Sequence, residues 1–211
     1  MILPASAPAW GKAQTLRLAG IETNPVSDVV RRKLKRAYQR IGVQVRIYSL
    51  PRQRALVAAD RGEFDGVVAR TAAAANAYKN LLIVPTPVLY VPIRAYGRPE
   101  SRRISSLSDL RSLRIGITLG TPYLKEKIVG LNYRQANTPL QLLQMLKAGR
   151  VDVALITQPL AEAAIKKGNI SGVTAISNRL FRVPVYHLLN RRHRALLPLI
   201  NKAIAAENFT R

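Results

Sequence analysis

The residues best placed to do chemistry lie in the stretch IGITLGTPY, residues 115–123. A short apolar strand runs there into small polar residues, and a helix-like pattern follows. Hydroxyls of Thr118 and Thr121, with the backbone N–H groups near Gly120 and Thr121 at a helix start, can hold a carboxylate or another polar group. Thr121 also suits an N-cap with Pro122 at the first helical position, and the two roles are compatible. The stretch is not a phosphate loop, because no Gly-Lys-Ser/Thr follows. Other chemistries find less support. The chain has no cysteine and two histidines, His187 in an extended segment and His193 in the basic RRHR run, neither with a visible acid partner. No GxSxG or HExxH motif occurs, and no cluster of carboxylates or histidines suggests a metal. No enzyme activity and no cofactor are therefore expected.

The elements that must position these residues belong to a chain of 211 residues, 48% of them hydrophobic, enough to bury a sizeable core. No run approaches the roughly 20 apolar residues that span a bilayer. Lys and Arg number 34 against 11 Asp and Glu, a net charge of +23. This raises a nucleic-acid partner, but the basic residues are spread along the whole chain rather than clustered. The densest patch, RRKLKRAYQR, sits on a helix with Val30, Leu34, Ala37, Tyr38 and Ile41 at helical spacing, while Arg31, Arg32, Lys35 and Arg36 fall mostly on other faces, as on a solvated outer helix. A basic surface tuned to its compartment, or an anionic ligand drawn in by the field, accounts for the same charge. Residues 1–14 are rich in Pro and Ala, and Ala5-Ser6-Ala7 resembles a small-x-small cleavage site, so they read as the remnant of an export signal. Trp10 precedes the folded region.

Strand and helix signals alternate. A strand at 15–21 leads to a helix capped by Ser27 or Asp28 and ended by Gly42; a strand at 43–50 leads to a helix opened by Pro51 and closed by Gly62; a third strand is 64–70. This β-α-β-α-β order predicts an α/β fold with a parallel sheet. A second copy begins near 113, with strands at 113–119, 131–136, 151–156 and 172–177 and helices at 122–130, 139–148 and 159–168. Between the copies a segment with four prolines is extended, and 181–190 is extended again before a helix from about Arg192 to Ala205. Two extended crossings around an inserted β/α unit predict two lobes. The expected boundaries are 15–95 plus 180–211 for the first and 96–179 for the second. Ligands collect at the carboxyl ends of such strands.

In its motifs the chain resembles periplasmic solute-binding proteins of the amino-acid-uptake type, the family 3 substrate-binding proteins of ABC transporters. GEFDGVVAR (62–70) is similar to the family's Gly-x-x-Asp strand entry, and ISSLSDLRSLRIGITLGTPY (104–123) to its hinge exit and second-lobe strand. LLQMLKAGRVDVALI (142–156) is similar to its helix-strand unit, and YHLLNRRHRALLPLINKAI (186–204) to its closing strand and helix. The resemblance implies a type II, two-lobed fold with the second lobe inserted in the first. It also implies closure of a monomer about two hinge crossings onto a small polar ligand, an amino acid or organic anion. The site would be periplasmic, and the partner an ABC permease or a membrane sensor.

Two departures from the family pattern shape the expected site. The position where amino-acid binders carry an arginine for the ligand carboxylate falls on Ala77, and Arg70, with Thr71 beside it, stands at the end of the third strand instead. A guanidinium there can clamp a carboxylate with two hydrogen bonds. The position of the family's acid for an α-amino group is Thr157, which leaves Glu22, after the first strand, as the acid to replace it. The expected ligand set is Glu22, Arg70, Thr71, Thr118, Gly120, Thr121 and Thr157. Arg54, Tyr90 and Tyr123 are further candidates, and Arg52 lies at the same edge as Arg54. Two alternatives remain: a dehydratase-like enzyme on the same fold with Glu22 as general acid, and a basic nucleic-acid binder.

Overall fold

The structure is a computed structural model that describes residues 15–20 and 25–207. The expected export remnant, Trp10 and Glu22 lie outside the described residues. The first run of elements is β1 (Thr15–Gly20), α1 (Pro25–Arg40), β2 (Gln44–Ser49), α2 (Arg52–Asp60), β3 (Gly66–Arg70), the single-turn α3 (Ala72–Ala75) and β4 (Leu81–Gly97). A 3-10 turn at Leu107–Leu110 opens the second run: β5 (Ile115–Thr118), α4 (Pro122–Lys127), β6 (Tyr133–Ala136), α5 (Pro139–Lys147), β7 (Val153–Thr157), α6 (Gln158–Gly168) and β8 (Thr174–Ala175). The chain closes with β9 (Phe181–Asn190), a 3-10 segment (Arg191–Leu196) and α7 (Leu197–Ala206).

These elements form two units. The first takes the described chain up to Leu89 and again from Val185, and the second is Tyr90–Pro184. In the first, β1 pairs in parallel with both β2 and β3, and β9 runs antiparallel to β3. Leu16, Leu18, Leu34, Tyr38, Leu189 and Ile200 fill one face under α1 and α7. Ala55, Leu56, Ala59, Val67 and Leu188 fill the other under α2. Both faces are covered, and β3 reads as a nearly continuous apolar run, whereas β1 exposes Thr15 and Arg17 before its last three residues are buried. The second unit repeats the plan. There β5 pairs in parallel with β6 and β7, and β4 runs antiparallel to β7 with Ile93 opposite Thr157. Ile115, Ile117, Leu124 and Ile128 pack on one face, and Leu142, Leu146, Ala161 and Ala164 on the other.

The Gly-x-x-Asp motif does the same work in each unit. Gly62 (φ 80°) and Gly149 (φ 68°) follow the ends of α2 and α5 in the left-handed conformation that glycine adopts without steric cost. Three residues on, Asp65 accepts the Arg17 N–H at 2.6 Å and Asp152 accepts the Arg114 N–H at 2.8 Å, so each carboxylate ties the entry of one strand to its neighbour.

Several expected boundaries shift. Because α1 begins at Pro25, Ser27 and Asp28 lie in its first turn rather than at its cap, where Asp28 still suits the positive end of the helix dipole. α4 stops at Lys127, ahead of Gly130 at φ 78°, and the strand expected at 172–177 narrows to two residues. The expected helix from Arg192 is split at His193 (φ −101°, ψ 22°), and α7 starts at Leu197 with a proline in its first turn. Here Asn190 caps the 3-10 segment by accepting the Arg192 N–H at 3.1 Å, while His193 turns toward Asp65.

Candidate functional site

In the first unit the parallel strands β1, β2 and β3 end together, at Gly20, Ser49 and Arg70. Arg70 is 5% exposed. Its Nη1 donates to the Ala69 carbonyl at 2.6 Å and its Nη2 to the Arg52 carbonyl at 3.2 Å, whereas Nε is buried without a partner. Among the described residues no carboxylate makes an ion pair with it. Burial, and secondarily the charge of Arg52, pull its pKa down to about 10, so it remains a cation at neutral pH. A buried guanidinium without a counterion is costly.

Around Arg70, Thr71 occupies the N-cap position of α3 without a side-chain capping bond, and Arg52 and Arg54 are exposed in the first turn of α2. Arg31 was missed by sequence reasoning, which placed it on a solvated face. Its Nη2 donates to the Ser49 hydroxyl at 3.0 Å, and a Cβ on Gly20 would come within 2.7 Å of that same atom. The missing side chain at Gly20 leaves room for the guanidinium over the ends of β1 and β2. A glycine closing a strand opposite a basic helix is the available sequence signal.

The second unit ends its parallel strands at Thr118, Ala136 and Thr157. Thr118, Thr121 and Thr157 are all buried. The Thr121 hydroxyl donates to the Thr118 carbonyl at 2.5 Å, so Thr121 holds the N-cap position of α4 without its side chain capping the helix. Gly120 makes the preceding turn at φ 75°. Thr157 stands at the N-cap of α6, again without a side-chain cap. Counting from the two motif aspartates, Thr157 and Arg70 hold equivalent places, five residues on and last in their strands. Tyr123 packs against the core of the second unit, while Tyr90 is exposed.

Both histidines make hydrogen bonds. His187 is fully buried, with Nε2 2.7 Å from the Tyr38 hydroxyl and Nδ1 2.8 Å from the Val67 carbonyl. Contrary to expectation, His193 does have an acid partner: its Nε2 lies 2.6 Å from Asp65 Oδ1, the oxygen that also pairs with Arg192. Burial works to raise the Asp65 pKa. Hydrogen bonds from His193, the Arg17 N–H and Arg192 outweigh it and hold the carboxyl well below the usual range. This cluster joins the start of β3 to the end of β9, where the Asn190 N–H also donates to the Asp65 carbonyl at 2.7 Å. Among the described residues no group of three or more His, Asp or Glu could hold a metal, and no helix is long and apolar enough to cross a membrane.

No family model and no curated relative matches the sequence. Solved structures do match. A histidine kinase sensor domain with similarity to periplasmic binding proteins superposes with a TM-score of 0.65 at 17% identity, over 91% of this chain and 89% of that one. An ancestral arginine-binding protein bound to arginine gives 0.60 at 22% identity, over 91% of each chain. The holo form of ArgBP from T. maritima gives 0.60 at 17% identity, over 91% and 89%. The chain has the periplasmic-binding-protein fold. These neighbours are binding and sensor proteins rather than enzymes, and the periplasmic-binding-protein fold places Arg70, Thr118 and Thr157 at carboxyl ends of parallel strands, the edge where open α/β sheets bind ligands.

Proposed function

We propose that this chain is an extracytoplasmic solute-binding protein that captures a small polar, carboxylate-bearing molecule and presents it to an ABC permease or a membrane sensor. Arg70 carries the reading: it is a buried cation at a strand end, and among the described residues its Nε has no partner and no acid makes an ion pair with it. In this reading Arg70 and Thr71 take the carboxylate. Neighbours with the same fold bind arginine, but a cationic side chain near Arg70 would add a like charge to one already buried. A zwitterion or an anion fits better. The Gly120 and Thr121 amides and the hydroxyls of Thr118 and Thr157 are a separate candidate set, and Glu22 is the acid available for an amino group. The two possible partners follow the two kinds of fold neighbour, importer components and a kinase sensor domain. Hinge closure, a monomeric state and a periplasmic location belong to the same proposal.

The test is a thermal-shift titration of wild type and Arg70→Met with L-glutamine, L-arginine, acetate and succinate. A ligand held only by the folded state adds about 2.7 kcal/mol at a hundredfold excess over Kd. The expected result is a shift in wild type that Arg70→Met loses, with the apo melting temperature of the variant unchanged or higher, because a buried unpaired charge has been removed. A variant that responds as the wild type does would overturn the assignment of Arg70, and Thr157→Ala tests the second unit in the same assay.

A further inference from the structure

We infer that the ligand is a small dianion, a dicarboxylate or a phosphate-type anion, which Arg70 and Arg52 hold together at the strand ends of the first unit. The inference rests on the reading of Arg70 as the ligand anchor and specifies the charge of what it anchors. The two arginines are neighbours: Arg70 Nη2 donates to the backbone carbonyl of Arg52, and the Arg52 charge acts on the Arg70 guanidinium in the same direction as its burial. Neither makes an ion pair with a described carboxylate. The four described acids that make ion pairs make them with other residues: Asp65 with Arg192, Asp152 with Arg114, Glu207 with Arg36 and Glu100 with Arg98.

Arg52 and Arg70 differ in environment, which divides their roles. Arg70 is fixed, with two of its nitrogens held by backbone carbonyls and its buried Nε left over for an acceptor. Arg52 is exposed in the first turn of α2. A monocarboxylate satisfies the first alone and leaves the second repelling it. A second negative charge on the same small molecule removes that repulsion and adds an attraction at the rim. The +23 field favours the same ligand through its rate of encounter, and both effects weaken with salt.

The experiment is isothermal titration of the full chain with succinate and inorganic phosphate as dianions and with acetate and L-glutamine as singly charged or zwitterionic probes, on wild type, Arg52→Gln and Arg70→Met. The expected pattern is that a dianion binds most tightly, that Arg52→Gln weakens it roughly tenfold while leaving acetate and L-glutamine unchanged, and that Arg70→Met abolishes all binding. Tight binding of L-glutamine or acetate that depends on Arg70 but not on Arg52, with no preference for a dianion, would overturn the inference and leave the solute-binding reading standing. Binding of any probe that survives Arg70→Met, or no binding by any of the four, would overturn both.

Discussion

Replacing His187 with glutamine removes a fully buried, titratable group from the core of the first unit, and the consequence for stability can be worked out in advance. Burial holds the imidazole neutral, pushing its pKa down to about 4 from an ordinary 6.5. The Tyr38 phenol, raised well above its usual range by burial and then by the Asp65 charge, stays protonated and donates to Nε2, which leaves the Nδ1–H to donate to the Val67 carbonyl. Between pH 6.5 and 4 the unfolded chain binds a proton at this position that the folded chain refuses. Stability from this group is therefore complete above 6.5, falls as the pH drops, and levels off below 4. That span corresponds to about 3 kcal/mol in full, most of it already lost by pH 4.5. Urea unfolding followed by circular dichroism at pH 7.0, 5.5 and 4.5 measures it. Wild type should lose that amount, and His187→Gln, although less stable at pH 7, should lack this component of the slope. Parallel profiles for the two proteins, or a His187 proton resonance that titrates near 6.5, would refute the reasoning.

Other outcomes follow from the strand-entry aspartates and the buried glycines. Hydrogen bonding from the Arg114 side chain is the chief cause that holds Asp152 near a pKa of about 2, so its contribution is present above about 3.8 and disappears as the pH falls toward 2. With the Arg114 side chain 43% exposed, solvent screening holds that contribution to about 1 kcal/mol or less, and Asp152→Asn should show the loss at neutral pH in chemical denaturation. Asp65→Asn should cost more, since Asp65 also holds Arg192 and His193. Gly66→Ala would place a Cβ 2.3 Å from the Leu188 carbonyl in the β3–β9 pairing, and should destabilise the chain by about 3 kcal/mol or more. In Gly116→Ala the nearest atom is the Leu142 Cδ1 at 2.5 Å, a side-chain end that can turn away, so the loss should be about 1–2 kcal/mol. Equal melting temperatures for the two glycine variants would contradict that distinction.

Much of the fold was legible because it is written in local patterns. The apolar runs of β3, β5 and β7, the glycines that end α2 and α5, and the repeated Gly-x-x-Asp spacing each depend on residues a few positions apart. The candidate site was legible in part. Thr118, Thr157 and Arg70 could be placed at strand ends because a strand end is a local event. Arg31 could not, because one residue's difference around α1 separates a solvated side chain from one that reaches back over Gly20 and Ser49. His193 and Asp65 are 128 residues apart, and nothing local to either announces that they meet.

By itself, then, the sequence determined the alternation of strand and helix, the repeat of one β/α plan, the glycine turns and the excess of positive charge. These follow from side-chain periodicity and backbone sterics, which act within a few residues. Only the tertiary structure decided that Arg70 is buried with no ion pair among the described residues. The fold also paired β9 with β3, bringing Asn190, Arg192 and His193 onto Asp65 and His187 into the core against Tyr38. Burial and electrostatic pairing depend on which distant segments pack together, so a guanidinium's solvation and a histidine's charge state are properties of the assembled sheet rather than of the residues beside them in the chain.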